Sequence, residues 1–101
     1  MTDMQKYVAI AQSMYPDVNG GHIPMNLGEF GVAGQTGTCG SNGPSDRSRL
    51  LWTKKTIRAA ETYDMSWHYW GFTKTGGFEA YDLKTNSWLP GMLDAFQNPN
   101  D

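Results

Sequence analysis

Met4, Tyr7, Val8, Ala11, Met14 and Tyr15 recur at steps of three and four residues. That is the spacing of one helical face, so residues 3–14 are predicted to form an amphipathic helix. Thr2, with Gln5 three residues on, can build a capping box at its start. Pro16 ends it, and DVNGG supplies a turn. IPMNLGEF, residues 23–30, then reads as a strand, on which simple alternation puts Met25, Leu27 and Glu29 on one face. GVAGQTGTCGSNGPS, residues 31–45, is a long loop, and a loop of that length in a compact domain is usually functional or disordered. Ser45 or Asp46 can cap a second helix running to about Tyr63. Trp52, Thr56, Ala59 and Tyr63 lie along one side of it, with Ile57 and Ala60 beside them, and Arg47, Lys54, Lys55, Arg58 and Glu61 read as mostly solvated. MSWHYWGF, residues 65–72, is a second strand, with Ser66, His68 and Trp70 on one face and Trp67 and Tyr69 on the face toward the helices. A glycine-bearing loop, TKTGGFEAYDLKTNS, leads to a short last helix over about Leu89–Phe96, with Pro90 in its first turn, where the missing N–H costs little.

The predicted order, helix, strand, helix, strand, helix, is α/β: two parallel strands joined by a right-handed crossover, with three helices. Two strands cannot close a sheet, and open edges pair or aggregate. The chain therefore reads as part of something larger, without a linker or second domain. The competing reading is an independent small α/β interaction domain, which predicts cooperative unfolding and a monodisperse monomer.

Composition narrows the function. The chain has 101 residues, a formal net charge of −2 and twelve glycines. Clustered Lys and Arg of the kind nucleic acid requires are missing. No apolar run approaches the roughly 18 residues that span a bilayer, and no signal peptide is visible at the N-terminus. The lone Cys39 excludes an internal disulfide. Two histidines and one cysteine without helical or CxxC spacing give no metal site. Leu, Ile and Val together number twelve, whereas aromatics make up 13% with four tryptophans. Such a balance suits a protein that stacks the CH faces of sugars on indole rings. It equally suits a core filled with aromatic side chains.

Glu29 is a solitary acid between Asp17 and Asp46, at the end of a strand and between Gly28 and Gly31. In barrels of parallel strands, catalytic side chains sit at the C-terminal strand ends and face inward. Glu29 fits that position if Met25 and Leu27 below it belong to the packed interior, and Trp70 holds the matching position on the next strand. A carboxylate beside an indole at a barrel mouth suits sugar chemistry: the acid attacks the anomeric carbon, and the indole floors the ring.

IPMNLGEFG, RSRLLWTKKTIRAAETYDMSWHYWGF and GGFEAYDLKTNSWLPGMLDAF, in this order and spacing, resemble glycoside hydrolase family 5, the cellulase family of clan A. The resemblance covers almost the whole chain from Ile23 to Phe96. It implies that residues 1–101 are the C-terminal part of a (β/α)8 TIM barrel, from the sixth helix to the eighth. It implies a retaining endo-β-1,4-glucanase-type hydrolase with Glu29 as nucleophile and Trp70 as the platform under the sugar. In that family a second carboxyl about 5 Å away acts as acid and then base; it belongs to an Asn-Glu pair after the fourth strand, and no such dipeptide occurs here. The expected partners are a β-1,4-linked glucan or related polysaccharide and the upstream barrel strands, in the same or another chain. Neither a cofactor, nucleic acid nor a membrane is implied, and the family is usually secreted, so an extracellular location is expected. The alternative is a sugar-binding or inert fragment that keeps the residues without the acid/base.

Around the cleft, Gln35, Thr36, Thr38 and Cys39 follow the nucleophile strand, and Lys74, Thr75 and Glu79 follow the next. Gln35, Lys74 and Glu79 are candidate sugar contacts, against the alternative of plain surface loops. Cys39 has no histidine base near it in sequence. His68, two residues below Trp70, reads as a hydrogen-bonded core histidine or as a group orienting charge near Glu29. Trp67, Tyr69 and Trp88 read as packing. The chain departs from the family at Gly71, where relatives often carry an acid or amide, and at Glu79, where a small residue is frequent. It also departs at Asn26, which stands where an apolar residue often faces the helix and is expected to hydrogen-bond into that layer.

Overall fold

The computed structural model describes residues 3–35, 42–74 and 76–101. The proposed cap at Thr2 and the loop positions Thr36, Thr38, Cys39 and Thr75 lie outside them. Helix α1 spans Asp3–Met14 and is followed by a 3-10 turn at Asn19–Gly21; β1 is Met25–Phe30, α2 Asp46–Thr62 and β2 Met65–Tyr69. Two short strands, β3 (Tyr81–Asp82) and β4 (Ser87–Trp88), precede α3 (Met92–Gln97). β1 and β2 pair in parallel across the α2 crossover, as the element order predicts. This is the α/β arrangement of two parallel strands and three helices that the sequence predicts.

Local chemistry sets the boundaries. Ser45 caps α2, its hydroxyl accepting from the Ser48 N–H at 3.2 Å, which satisfies one of the free donors at the helix start. Asp64, at φ 56°, turns the chain from α2 into β2. β1 begins after Pro24, two residues later than the pattern suggests, and β2 stops at Tyr69 instead of continuing to Phe72. The peptide bond between Trp70 and Gly71 is cis. The segment read as a plain loop contains the β3–β4 hairpin, in which Tyr81 faces Trp88 and Asp82 faces Ser87. Asp82 tightens its turn by accepting from the Lys84 N–H at 2.8 Å. Pro90 precedes α3, which starts after Gly91 at φ 84°; a Cβ there would lie 2.8 Å from Leu50 Cδ1.

Packing is one-sided. α2 buries Arg49, Thr53, Ile57 and Ala60. This stripe at steps of three and four is rotated from the predicted side: Trp52 stays 41% exposed. Thr53 satisfies its buried hydroxyl on the Arg49 carbonyl at 2.8 Å. From Trp52 of α2 an aromatic series runs through Phe30 to Trp67 and Tyr69, on to Phe96, Trp88, Tyr81 and Phe72. Ring centroids along it are 5.2–6.3 Å apart, within the range of favourable edge and offset contacts. Trp88 is thus packing, as expected. Lys54 reaches Asp94 at 3.6 Å and ties α2 to α3.

α1 behaves differently. It is helical where predicted but buries none of its residues, and Tyr7, Ile10 and Met14 are 64%, 53% and 63% exposed. The molecule measures 50 × 25 × 24 Å with a radius of gyration of 15.7 Å, against about 13 Å for a compact chain of this length.

Candidate active site

The register of the parallel pair decides which way the candidate residues face. Met25, Asn26 and Leu27 stand beside Met65, Ser66 and Trp67, but Phe30 stands beside Tyr69. β1 therefore spends three steps, from Leu27 to Phe30, where β2 spends two. Gly28 and Glu29 together oppose His68 in a bulge, a device that re-aims side chains and is common near active sites.

The bulge corrects the alternation read from sequence. Met25 and Leu27 do not share a face with Glu29. They lie with Phe30, Met65, Trp67 and Tyr69 on the side covered by the helices, where Phe30 is buried. Glu29 is carried to the opposite side with Asn26, Ser66, His68 and Trp70, all exposed. Asn26 accordingly does not enter the strand–helix layer; its Oδ1 accepts from the Ser66 hydroxyl at 2.9 Å on the open face. Without the bulge, Glu29 would point into the aromatic core. With it, Glu29 and Trp70 end adjacent strands on one face, and the Trp70 N–H extends the ladder to the Phe30 carbonyl at 2.8 Å. Gly31 permits this closeness: a Cβ there would run into the Trp70 carbonyl oxygen.

The remaining candidates gather elsewhere. Gln35, Lys74 and Glu79 line a cleft of about 800 Å³ between the loop after β1, the start of α2 and the β3–β4 hairpin. Arg49 and Trp88 line it too, whereas Glu29, His68 and Trp70 do not. Gln35 and Lys74 are exposed. Glu79 is half-buried, and its carboxylate accepts from the Gly77 N–H at 2.9 Å, so part of its acceptor capacity shapes its own loop.

Arg49 was missed in the sequence. It is 4% exposed and joins three segments at the strand ends. Its Nε–H donates to the Val32 carbonyl at 2.9 Å, and Nη2 donates to the Glu79 carbonyl at 2.9 Å and to the Tyr69 hydroxyl at 3.2 Å. Tyr69 in turn donates to the Phe78 carbonyl at 2.8 Å. The available signal was its place, four residues before Thr53 and eight before Ile57, on the buried stripe of α2.

Among the described residues no group of three or more His, Cys, Asp or Glu could hold a metal ion, and no helix is long and apolar enough to cross a membrane.

No protein-family model matches the chain, and no curated protein matches it. Solved structures do. A hyperthermophilic endo-β-1,4-glucanase, solved in complex with substrate, is 28% identical with a TM-score of 0.64, over 91% of this chain and 26% of that one. Thermotoga maritima Cel5A, a mutant form in complex with cellobiose, is 26% identical with a TM-score of 0.61, over 94% and 28%. The same enzyme in complex with mannotriose is 25% identical with a TM-score of 0.59, over 92% and 27%. The chain thus spans about a quarter of the length of the endoglucanases it matches, and its fold is similar to that part of their barrels.

Proposed function

We propose that this chain is the C-terminal, nucleophile-bearing part, sixth to eighth helix, of a retaining endo-β-1,4-glucanase-type glycoside hydrolase that degrades polysaccharide outside the cell. The observation that carries the proposal is the bulge at Gly28–Glu29. It brings a carboxylate onto the same open face as Trp70 at the C-terminal ends of two parallel strands, in a fold similar to endoglucanase barrels. The upstream strands would cover that face and supply the acid/base.

In the assembled site the sugar ring stacks on the Trp70 indole, with its anomeric carbon over Glu29. A Glu29 carboxylate oxygen attacks C1 while the acid, about 5 Å away, protonates the departing glycosidic oxygen; the C1–O bond breaks and a glycosyl ester forms. The same group, now a base, takes a proton from water, which attacks C1 and releases the sugar and the free Glu29 carboxylate. Cellobiose and mannotriose in the similar enzyme fit a β-1,4-linked glucan or related glycan as substrate. Gln35, Lys74 and Glu79, which line the cleft, are read as contacts to further sugar units, and His68, opposite the bulge, as a group that orients Glu29.

The test is release of reducing ends from carboxymethyl-cellulose. The chain joined to its upstream strands should release them, and Glu29→Gln should lower the rate about 10⁴-fold or more, the order expected when a covalent nucleophile is removed. Near-normal turnover by Glu29→Gln would end the proposal. The alternative reading is sugar binding without turnover. It predicts that cellobiose binding persists while no variant or assembly releases reducing ends.

A further inference from the structure

Arg49 is an expensive choice for its position. It lies in the first turn of α2, where the helix dipole disfavours a cation, and burying a charge costs free energy unless hydrogen bonds replace its water. An apolar residue would complete the Thr53, Ile57, Ala60 stripe more simply. What the guanidinium adds is a planar fork whose donors reach several acceptors at fixed angles.

Those acceptors surround the candidate site. Val32 lies three residues beyond Glu29. Tyr69 immediately precedes Trp70. Glu79 and Phe78 belong to the segment that returns past the strand ends, and that segment is tied to the first by the Gly34 N–H, which donates to the Gly77 carbonyl at 2.9 Å. Gly34 leaves the space: a Cβ there would stand 3.3 Å from Arg49 Nη1 and 3.4 Å from its Cδ. One side chain thus fixes the exits of both strands, one bearing Glu29 and the other Trp70.

We propose that Arg49 is a positioning residue which sets the distance and angle between the Glu29 carboxylate and the Trp70 platform without touching the sugar. The inference rests on the hydrolase reading. Because the residue acts through placement, its loss should damage the chemical step more than ground-state binding. A displacement on the order of 1 Å at a reacting centre costs about 100-fold in rate.

The experiment compares Arg49→Leu, Arg49→Lys and Glu29→Gln in the chain joined to its upstream strands, with an aryl cellobioside as substrate. Arg49→Leu keeps the apolar packing and removes every donor; Arg49→Lys keeps the charge and loses the fork. Both should lower kcat about 100-fold with KM within about threefold, while helical circular dichroism is retained. Amide exchange should accelerate at Gly34 and Trp70 and stay unchanged at Trp67. Full kcat in Arg49→Leu beside an inactive Glu29→Gln overturns this inference and leaves the hydrolase reading standing. Activity in Glu29→Gln overturns the hydrolase reading itself and the inference with it. Recovery of wild-type kcat by Arg49→Lys would overturn the role of the fork. Loss of helical signal in both variants would also overturn the inference, because Arg49 would then hold the whole chain together and not the strand ends.

Discussion

The two faces of the β1–β2 sheet were built by opposite rules. One is sealed: Phe30, Met65 and the rings of Trp67 and Tyr69 lie under α2 and α3, and the helices add Ile57, Ala60, Met92 and Ala95. The other presents Asn26, Glu29, Ser66, His68 and Trp70 to solvent. Parallel sheets ordinarily have both faces covered. The difference teaches that the burial holding this chain together lies on one face of the sheet, and that the other face adds none. The exposed apolar residues of α1 repeat the lesson at the other end of the molecule.

The sealed face should be where stability fails. Ile57 is 0% exposed, and Ile57→Ala should cost about 2–5 kcal/mol by loss of burial and a residual cavity. Trp70→Ala, on the open face, should stay within about 0.5 kcal/mol, despite removing the larger side chain. Urea unfolding followed by circular dichroism measures both; equal losses would erase the distinction between the faces.

A second substitution probes the seam between them. Gly31→Ala places a methyl group against the Trp70 carbonyl oxygen and within 3.2 Å of the Phe78 ring. A backbone atom cannot rotate away, so the strand ends must separate at a cost of about 1–3 kcal/mol. The same denaturation experiment reads the loss, and chemical shifts should move at Glu29 and Trp70. Unchanged shifts there would mean that the two strand ends are not in register as described.

The smallest effect concerns the helix pair behind the sealed face. The Asp94 carboxyl is held below its ordinary value, chiefly by a hydrogen bond from the Asn98 side-chain amide; burial opposes this, and the Lys54 ammonium adds a further lowering. A depressed folded-state pKa contributes stability that is present above the unfolded value of about 3.9 and is lost as pH falls through the folded one. Because Asp94 is exposed, solvent and salt screen the effect. Carbon-detected titration of the side chain should give a midpoint below that of an unstructured peptide. Asn98→Ala should move it upward, and no movement would assign the shift to Lys54.

Much of the sealed side was legible in the sequence, because it is built on periodic spacing. The extent of α2 and the helix-facing side of Trp67 and Tyr69 follow from intervals of two, three and four, and the parallel pairing follows from the order of the elements. The bulge was not legible. Alternation is a local rule, and whether Gly28–Glu29 holds one residue too many is decided only by pairing with His68 on a strand about forty residues away. That single insertion reversed the predicted company of Glu29, Met25 and Leu27, and moved Asn26 out of the helix layer. The β3–β4 hairpin escaped because each strand has two residues, too few for a period. Arg49 escaped because arginine reads as a surface residue by type, and its acceptors, the Val32 and Glu79 carbonyls and the Tyr69 hydroxyl, come from three separate segments. Pro90 misled about α3 because Gly91, in a left-handed conformation, starts the helix after it.

A retaining mechanism requires that Glu29 form a covalent bond to sugar at C1. The most direct measurement treats the chain, joined to its upstream strands, with a 2-deoxy-2-fluoro-cellobioside bearing a good leaving group, then maps the labelled peptide by mass spectrometry. One fluorocellobiosyl group, esterified to Glu29, is expected, and none in Glu29→Gln. A label on another carboxylate, or steady release of reducing ends with Glu29 never labelled, would contradict that mechanism.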